Sequence, residues 1–543
     1  MPGTKFTIQR PKNEETLGYL PGSPERDELK LKIEELKARK MKIPLIIGGK
    51  MIRTGNLGNS VIPHDHSHVL AEYHKAGSEE VHRAIEVALD ARKTWGRTPW
   101  YERAAVFLKA ATLMAGSWRA TINAATMLDL SKTAYQAEID GANELVDFLR
   151  FNVFYMQDIY RAQPDSSKEE WNRIEYRPLE GFVFAVTPFN FVSIVGNLPT
   201  APAIMGNTVV WKPASSVVYA SYQIMRVLME AGLPPGVINF IPGPGSEIGK
   251  IVLDHPDLAG IHFTGSTGTF QKMWKKVGEN IGKYRTYPRL VGETGGKGFL
   301  FAHSSADIEA LVVALVRGAF EYQGQKCSAA SRAYIPESIW PKVKTALLSA
   351  VKDVKVGPAE DFTTLMNAVI DKSAFDKIVG YIEHAKQSSE SKILAGGIFD
   401  DSTGYFIQPT VVQTTDPKSK MMVEEIFGPV LTVYVYPDEE YEETLRLCDE
   451  TSPYGLTGSI FAKDRNAVIL GTEILVNAAG NFYINDKPTG AVVGRQPFGG
   501  ARASGTNDKA GSRNNLLRWV SLRTIKENFD PPNQVAYDYM VEP

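Results

Sequence analysis

From residue 182 onward, short apolar runs alternate with longer segments in which apolar residues recur at helical spacing. The runs are nearly continuous, which is typical of parallel strands that are buried on both faces. The pattern predicts strands at 182–186, 208–212, 237–241 and 259–263, and helices near 191–203, at 216–231, at 246–253 and from 266. We therefore expect a doubly wound α/β domain of the kind that binds nucleotides.

A second alternating region extends from Phe299 to about residue 500, and no low-complexity linker separates it from the first. The helices predicted outside the first region lie at 23–40, 79–95, 125–151, 307–322, 338–352 and 371–387, and further strands lie near 333–335 and 430–436. The helix at 23–40 is charged and amphipathic, which suggests a packing appendage. Residues 171–177 and 517–525 alternate like half-exposed strands, and such edges often pair with another subunit.

The composition of the chain narrows the range of functions that it can have. The chain of 543 residues is too long for a single core, and its 43% hydrophobic and 22% charged residues are those of a globular protein. The formal net charge is −2, and no long basic run offers a surface for nucleic acid or an anionic membrane. Cys327 and Cys448 make neither a disulfide framework nor a zinc pattern, which suits a reducing compartment. We expect small-molecule chemistry.

Two stretches bear on localisation. Residues 1–10 have no apolar core and are soon followed by acidic residues, so we predict neither a signal peptide nor a transit peptide. We expect a cytoplasmic protein, or one of the mitochondrial matrix if this is a mature eukaryotic chain. The uncharged run at 181–211 has the length of a membrane span, but prolines and asparagines divide it into strand, loop and helix. We expect no membrane partner and interpret this run as buried core.

The candidate nucleophile is Cys327, in the segment Tyr322–Ser328 between a predicted helix and a predicted strand. A sharp turn opened by Gly324 can present the sulfur and the Cys327 N–H to one small volume, as a nucleophile with its own oxyanion donor requires. The alternative is a small buried apolar residue, which is the usual role of a free cysteine. The segment alone leaves both interpretations open.

Two other patterns are weaker. His64, His66 and His68 suggest a metal site, but alternate residues of a strand share one face without tetrahedral geometry, and no other cluster supports them. We expect no metal. Glycine-bearing turns at 242–249 and 264–268 follow predicted strands and could bind a diphosphate, although neither is a strict G-x-G-x-x-G. Each alone is also ordinary turn chemistry.

Six segments taken together are more specific: Thr187–Phe191, Lys212–Pro213, Phe263–Thr267, Gly292–Lys297, Gly324–Ser328 and Glu425–Pro429. In order and spacing they resemble the motifs of the aldehyde dehydrogenase superfamily, from about residue 45 to the end. Flanking segments at 23–27, 148–152, 285–290 and 485–508 are similar to its pyrroline-5-carboxylate (glutamate-semialdehyde) dehydrogenase branch.

The resemblance implies an NAD-binding domain with a doubly wound parallel sheet, a second α/β catalytic domain and a small β flap for oligomerisation. The expected divisions are 1–44 for the appendage, 45–170 and 186–294 for the dinucleotide-binding domain, 295–513 for the catalytic domain, and 171–185 with 514–543 for the oligomerisation strands. It also implies a homodimer or higher homo-oligomer that oxidises L-glutamate 5-semialdehyde to L-glutamate with NAD, the last step of proline degradation. The alternative is an NAD(P)-dependent dehydrogenase of another carboxylate-bearing aldehyde.

The resemblance assigns the catalytic residues. Cys327 attacks the aldehyde, Asn190 and the Cys327 N–H hold the oxyanion, and Glu293 activates the water that hydrolyses the thioester. The ordinary alternative for Glu293 is a loop or helix-cap carboxylate. Two rival functions remain, an NAD-binding relative without turnover and a coenzyme A acylating relative. An NAD-binding relative without turnover conflicts with the presence of all three catalytic residues. A coenzyme A acylating relative conflicts with Glu293, because acyl transfer to coenzyme A requires that water be excluded.

The resemblance also assigns the cofactor residues. They are Lys212 at the adenosine ribose, Gly265, Ser266, Thr267, Gly268 and Thr269 in the turn at the diphosphate, Glu425 on the nicotinamide ribose, and Phe427 beside the nicotinamide ring. Lys212 as a surface charge and Phe427 as core are the ordinary alternatives. Ser215 stands where many NAD-preferring relatives carry a glutamate, which leaves NADP open beside the expected NAD.

The implied substrate residues fall into three groups. Ser328 and the backbone of Gly490 and Ala491 surround the distal carboxylate, Glu144 faces the amino group, and Phe191 and Phe498 flank the aliphatic stem. Relatives often have serine where Ala491 stands, so this chain lacks a hydroxyl donor there and keeps the N–H. The alternative for the two phenylalanines is ordinary core.

Overall fold

The first large sheet has seven strands and is mostly parallel. This computed structural model describes residues 6–540; the first five residues of the N-terminal segment and the last three of the 514–543 segment lie outside that range. From one edge to the other the strands are Arg289–Glu293, Leu258–Thr264, Phe182–Val186, Val209–Lys212, Ile238–Phe240, Leu45–Ile47 and Lys50–Ile52, of which Leu45–Ile47 runs antiparallel to both of its neighbours.

Successive residues of these strands enter different cores. Val183 and Ala185 belong to one apolar cluster, whereas Phe182 and Phe184 belong to another. Since side chains alternate along a strand, the sheet is buried on both faces, which confirms the doubly wound layout. The helices of this half of the molecule are Ser78–Trp95, Trp100–Ala115, Arg119–Leu130, Glu144–Arg161, Val192–Ile204, Val218–Glu230, Gly245–Asp254 and Thr267–Glu279.

The second large sheet repeats this arrangement. Its strands, in spatial order, are Ser391–Ala395, Thr410–Thr414, Val430–Tyr436, Ala330–Pro336, Gly298–Ala302, Thr457–Phe461 and Asn481–Ile484, of which the first is antiparallel. Leu300 and Ala302 face one cluster, and Phe299 and Phe301 face another. Its main helices are Ile308–Phe320, Trp340–Lys352, Lys372–Gln387, Tyr441–Thr451 and Arg465–Ile474. The N-terminal helix is Pro24–Lys37, and a three-stranded sheet is formed by Met41–Ile43, Asp65–His74 and Leu57–Ile62.

The single helix expected over 125–151 is wrong. The helix Arg119–Leu130 ends at Ser131, whose φ of 54° is left-handed. After a short turn the chain forms the short helix Ala134–Ala137, which continues into a π-helical turn, Glu138–Asn143, and then into the helix Glu144–Arg161. A π-helical turn inserts one residue into the helical repeat, and such turns are frequent at functional sites. The helix expected over 307–322 also ends earlier, at Phe320.

The two half-exposed strands pair with each other. Glu170–Pro178 and Val520–Asn528 form an antiparallel two-stranded sheet, which we call the flap. Of the segment 171–185 assigned to oligomerisation, residues 182–185 instead belong to a strand of the first large sheet, Phe182–Val186, because they are fully apolar and bury on both faces. Whether the flap contacts a second subunit stays a prediction. Within residues 6–540 no helix combines the length and apolar composition needed to cross a bilayer.

The two large sheets meet at the predicted site. The strands of the first sheet end at Lys212, Thr264 and Glu293, whereas Cys327 and Glu425 precede strands of the second sheet. Ligands of open α/β sheets bind beyond the carboxyl ends of the strands. The cleft between the sheets is therefore where the candidate residues converge.

Candidate active site

The loop that carries Cys327 has an unusual backbone. Tyr322, Gln323 and Gly324 have φ values of 52°, 56° and 65°, so three successive residues are left-handed. A Cβ on Gly324 would overlap the carbonyl oxygen of Gly428. The conformation is held by the buried Gln323 side chain, which donates to the carbonyls of Ser131 and Ala368 at 2.9 and 2.7 Å and accepts from the Asn367 N–H at 3.0 Å. Strain of this kind is typical of functional sites.

Asn190 lies against this loop, as the sequence predicts. Its side-chain amide donates to the carbonyl oxygen of Gln325 at 3.0 Å, two residues before the nucleophile. The second hydrogen of the same amide nitrogen stays available for an oxyanion. A Cβ on Gly296 would overlap the Cys327 carbonyl, so the Gly292–Lys297 segment packs directly on the nucleophile.

Burial is the main influence on the ionisation of Cys327, and two nearby carboxylates add to it. Burial raises the pKa of the Cys327 thiol, and the nearby carboxylates of Glu293 and Glu425 raise this pKa further, while backbone N–H groups oppose them weakly. The thiol is therefore protonated at neutral pH in this state. Attack on an aldehyde requires a base that accepts its proton.

Glu293 has the properties of a general base for water. It ends the strand Arg289–Glu293, and burial raises the pKa of its carboxyl well above the ordinary value, with Lys509 opposing the shift. Its Oε2 atom is buried and accepts no hydrogen bond from residues 6–540. A Cβ on Gly499 would lie 2.9 Å from Oε1, so the backbone approaches the carboxylate more closely than a side chain at this position would allow. A raised pKa makes the carboxylate a stronger base, and a free oxygen can accept a proton.

Glu425 is fixed by backbone donors. Its Oε2 accepts hydrogen bonds from the N–H groups of Gly296 and Lys297 at 2.7 and 2.8 Å. Lys297 has a left-handed φ of 43°, and burial lowers the pKa of its ammonium to about 7. Phe427 has a φ of 60°, and its ring lies 5.7 Å from that of Phe189. The structure thus joins the predicted nicotinamide-side residues to the segment that packs on Cys327.

The turn at 265–269 lies on the other side of Glu293. Gly265 N–H donates to the Glu293 carbonyl at 3.1 Å, and Ser266 caps the helix Thr267–Glu279 by accepting from the Thr269 N–H at 3.3 Å. Thr267 Oγ1 accepts from the Gly295 N–H at 3.4 Å. A Cβ on Gly268 would meet no atom within 4 Å, so the helix N-terminus is open. Free N–H groups at a helix N-terminus favour a phosphate group.

Lys212 lies away from Cys327, at the start of the helix Gly245–Asp254. A Cβ on Gly245 would lie 3.8 Å from Lys212 Nζ. Burial lowers the pKa of this ammonium to about 8, and no carboxylate of the described chain offsets the shift. A buried cation with donor capacity at Lys212 and the open N-terminus of the helix Thr267–Glu279 would suit the polar and phosphate groups of a dinucleotide.

Two residues of the predicted substrate pocket, Glu144 and Phe191, both lie near the buried Lys132 side chain. Glu144 Oε2 accepts from Ser193 Oγ at 2.5 Å, and burial, reinforced by the Asp140 carboxylate, raises the pKa of Glu144 to about 8. Phe191 precedes the helix Val192–Ile204, and the Lys132 ammonium lies 4.3 Å from its ring centre.

The other predicted substrate residues are Ser328, Gly490, Ala491 and Phe498. Ser328 is buried directly after Cys327, and its carbonyl accepts from Thr457 at 3.3 Å. Lys487, at the start of the loop 487–496, lies 3.6 Å from Glu321, which holds that loop beside the nucleophile. Within residues 6–540, no hydrogen bond joins Ser328 to Gly490 or Ala491. Phe498 pairs through its backbone with Ala510 and precedes the glycine beside Glu293.

Sequence reasoning missed a cluster of buried charges next to this pocket. Lys132 Nζ lies 3.1 Å from Asp140 Oδ2, and burial lowers the pKa of Lys132 to about 8. Lys326 Nζ lies 3.8 Å from Asp140 and 3.7 Å from Glu321. Lys326 belongs to the quoted nucleophile motif and could have been found there. Lys132 and Asp140 carried no signal, because both fall inside a segment predicted as one helix.

The histidine cluster has structural partners. His64 contacts Ser131 at 2.9 Å and Glu360 at 2.7 Å, and His66 and His68 contact backbone carbonyls of other segments. Residues 6–540 contain no group of three or more His, Cys, Asp or Glu side chains arranged to hold a metal. Cys448 is buried in an aromatic cluster of the second sheet.

Comparisons with known proteins agree with this geometry. The sequence profile of the aldehyde dehydrogenase family matches residues 54–525. The chain is 52% identical over 542 residues to the mitochondrial delta-1-pyrroline-5-carboxylate dehydrogenase of Dictyostelium discoideum, covering 99% of this chain and 97% of that one. It is 51% identical over 529 residues to the human mitochondrial enzyme of the same name, covering 97% and 94%.

Solved structures are also similar. The delta-pyrroline-5-carboxylate dehydrogenase of Mycobacterium tuberculosis bound with NAD superposes with a TM-score of 0.96 at 51% identity, over 99% of this chain and 100% of that one. The 1-pyrroline-5-carboxylate dehydrogenase from Thermus with bound NAD superposes with a TM-score of 0.91 at 32% identity, over 96% and 100%.

Proposed function

The chain belongs to the aldehyde dehydrogenase family, and from this premise we propose that it oxidises L-glutamate 5-semialdehyde to L-glutamate with NAD, the reaction that completes proline degradation. The observation that carries the proposal is the placement of the buried Cys327 thiol beside Glu293, a carboxylate with a raised pKa and an oxygen that has no partner in the described chain. The relatives named above, which are about half identical over nearly their whole length, support this substrate.

The first chemical steps follow from the residues around the nucleophile. The thiol proton passes to water, and the sulfur of Cys327 bonds to the aldehyde carbon to give a thiohemiacetal oxyanion. The Asn190 amide and the Cys327 N–H donate to that oxygen. Donors fixed in a water-poor site stabilise developing charge more strongly than they do in water. When bound, NAD supplies the acceptor for the hydride that leaves this carbon, and a thioester remains on Cys327.

Hydrolysis of the thioester regenerates the enzyme. Glu293 takes a proton from water, whose oxygen attacks the thioester carbon. The carbon–sulfur bond breaks to release the carboxylic acid and the Cys327 thiolate, which regains the proton from Glu293. Glu293 Oε2, which accepts no hydrogen bond in the described chain, is the oxygen available to that water. A coenzyme A acylating function would not use a base for water at this position.

The charges of the pocket suit an amino acid as substrate. Glu144 has a pKa of about 8, because it is buried and lies near Asp140. A substrate ammonium beside Glu144 would stabilise the ionised form of this carboxylate and offset its negative charge. The Lys326 ammonium and the N–H groups of Gly490 and Ala491 provide positive charge and hydrogen-bond donors for the carboxylate of the substrate. The two phenylalanines, Phe191 and Phe498, provide apolar area for the carbon chain.

A steady-state assay tests the proposal. Rates of NADH formation are compared for glutamate 5-semialdehyde, propanal and hexanal, with NAD and with NADP as cofactor. We expect glutamate semialdehyde with NAD to give a kcat/KM several orders of magnitude above the neutral aldehydes, because only the semialdehyde satisfies the polar groups of the pocket. If hexanal were as good a substrate, the assignment of the substrate would be wrong, although the family would stand.

We also propose that the chain forms a homodimer or a higher homo-oligomer through the flap. Trp171, Leu522 and Phe529 are large apolar residues exposed on or next to its two strands. Such exposed apolar area on an unpaired strand edge favours association. Light scattering after size exclusion should give at least twice the chain mass, and a Leu522→Asp variant should shift the molecule toward the monomer. Since the Dictyostelium and human relatives are mitochondrial by name, we propose the matrix as its compartment if the source is a eukaryote, and the cytoplasm otherwise.

A further inference from the structure

An extended N-terminal arm, residues 6–22, packs across the helix Glu144–Arg161 and the loop 487–496. It has almost no regular secondary structure, but side chains of the folded body hold its backbone at several points. Gln157 bonds both the N–H and the carbonyl of Ile8, at 2.6 and 2.9 Å, and Glu138 accepts from the Leu17 N–H at 2.9 Å. No motif of the sequence indicates a role for this arm.

Asn13 is the point where the arm contacts both sides of the pocket. Its Nδ2 donates to Asp147 Oδ2 at 2.7 Å and to the Val493 carbonyl at 2.7 Å, and its Oδ1 accepts from Arg495 Nε at 3.2 Å. The N–H of Glu14 donates to the other oxygen of Asp147 at 2.8 Å. Each polar atom of the Asn13 side chain is thus used, and its partners belong to two segments that are far apart in the sequence.

Those two segments carry the opposite ends of the pocket. Asp147 lies in the first turn of the helix Glu144–Arg161, one helical turn after Glu144, which we assign to the substrate amino group. Val493 follows Gly490 and Ala491 in the loop 487–496, which we assign to the substrate carboxylate. We propose that Asn13 is a positioning residue that fixes the distance between these two ends and thereby selects the length of the substrate. This inference rests on the proposed function.

Apolar packing alone would not fix that distance. Phe148, Phe151 and Val493 form a small buried cluster between the helix and the loop. Apolar contacts are not directional, so they tolerate sliding of one surface over the other. Hydrogen bonds require narrow ranges of distance and angle, and the three bonds of Asn13 restrict the loop in more than one direction. Small displacements of groups that bind a substrate cost affinity and rate.

The test compares two substitutions of Asn13 with a control that releases the same arm elsewhere. Asn13→Ala removes all three hydrogen bonds. Asn13→Asp keeps the size of the side chain and the acceptor for Arg495, but it replaces the donor by an oxygen that faces the Asp147 carboxylate. The control, Gln157→Ala, releases Ile8 of the arm from the same helix and leaves the loop 487–496 untouched. The measurements are KM and kcat for glutamate 5-semialdehyde, KM for NAD, Tm, and kcat/KM for the shorter aspartate 4-semialdehyde.

For both Asn13 variants we expect the KM for glutamate semialdehyde to rise about tenfold, the equivalent of one good hydrogen bond, with kcat and the KM for NAD changed by less than about twofold. The preference over aspartate semialdehyde should fall, and Gln157→Ala should keep the kinetics of the wild type. An unchanged KM in folded Asn13→Ala and Asn13→Asp would overturn the proposal. So would an equal rise in Gln157→Ala or an equal rise in the KM for NAD, because either result would indicate general loosening of the fold.

A milder variant covers the case in which both substitutions of Asn13 prevent folding. Arg495→Ala removes one bond to Asn13 from an exposed side chain, and we expect a smaller rise in the same KM. No rise in that folded variant would count against the proposal. A wild-type enzyme that does not oxidise glutamate semialdehyde would refute the proposed function itself, which is a different outcome from an active wild type with unaltered Asn13 variants.

Discussion

Replacing Glu293 by glutamine separates the two halves of the proposed reaction. The substitution keeps the volume of the side chain and removes its ability to take a proton from water. Because Glu293 Oε2 accepts no hydrogen bond in the described chain, no existing bond is lost at that atom. We therefore expect the variant to fold and to bind NAD as the wild type does.

The size of the effect follows from the role of a general base. Such a group contributes about 10²–10⁴-fold to a proton-transfer step, which corresponds to about 3–5 kcal/mol. Hydrolysis of the thioester should slow by this factor, while hydride transfer from the thiohemiacetal should be affected less, provided that the thiol proton can leave to solvent. A rapid-mixing experiment should show a burst of NADH close to one per active site, followed by a slow steady rate.

Two results would refute this reasoning. An unchanged steady-state rate would show that Glu293 is not the base for hydrolysis. A variant that forms no NADH in the burst, although it binds NAD and aldehyde, would show that Glu293 is needed already for the first step. Mass spectrometry of the quenched enzyme should detect the acyl group on Cys327 during the slow phase.

The Glu293→Gln substitution should also change the pH dependence of the stability in a defined direction. The folded protein raises the pKa of Glu293 above its ordinary value of 4.5, so the folded state holds this proton more tightly than the unfolded chain does. The resulting stability is complete below the unfolded pKa and is lost as pH rises toward the folded pKa. The Tm of Glu293→Gln relative to that of the wild type should therefore increase across this window. A constant difference in Tm would contradict the raised pKa.

The remaining predictions concern the other residues of the site. Cys327→Ala should abolish turnover and leave NAD binding intact by calorimetry, and substantial residual turnover would exclude Cys327 as the nucleophile; Cys448→Ala, in a separate cluster, should stay active. Asn190→Ala removes one oxyanion donor and should lower kcat by about 10²–10³; a loss below about tenfold would mean that the amide only supports the loop through Gln325. Ser328→Ala should raise KM for glutamate semialdehyde more than for pentanal, and equal changes for both aldehydes would remove Ser328 from the carboxylate site.

The local pattern of apolar and polar residues was enough to predict the two α/β regions. Buried parallel strands such as Phe182–Val186 are almost wholly apolar, and the helices between them repeat with a clear period, so their positions depend little on the rest of the chain. The catalytic set was also readable. The segments around Cys327, Glu293 and Asn190 have a fixed order and spacing in the family. The fold brings Asn190 to the loop of Cys327 and the Glu293 carboxylate near the Cys327 thiol, and their catalytic roles stay predictions.

Tertiary structure alone decided the features that depend on contacts between distant segments. Ser131 interrupts a segment of helical pattern because its left-handed turn fits against Gln323 of the nucleophile loop, and nothing in the local sequence signals that contact. The buried charges of Lys132, Lys326 and Asp140 stabilise one another inside the protein. Likewise, the sequence predicts the two strands of the flap separately, and only the fold shows that they pair with each other. Asn13 has no distinguishing feature in the sequence, and only the fold shows that it bonds to Asp147 and Val493. The periodicity of hydrophobic residues depends on residues that are close in the sequence, so the sequence alone predicts the helices and strands. Hydrogen bonds and ion pairs between polar groups depend on segments that are distant in the sequence, so only the tertiary structure shows the contacts that fix the pocket.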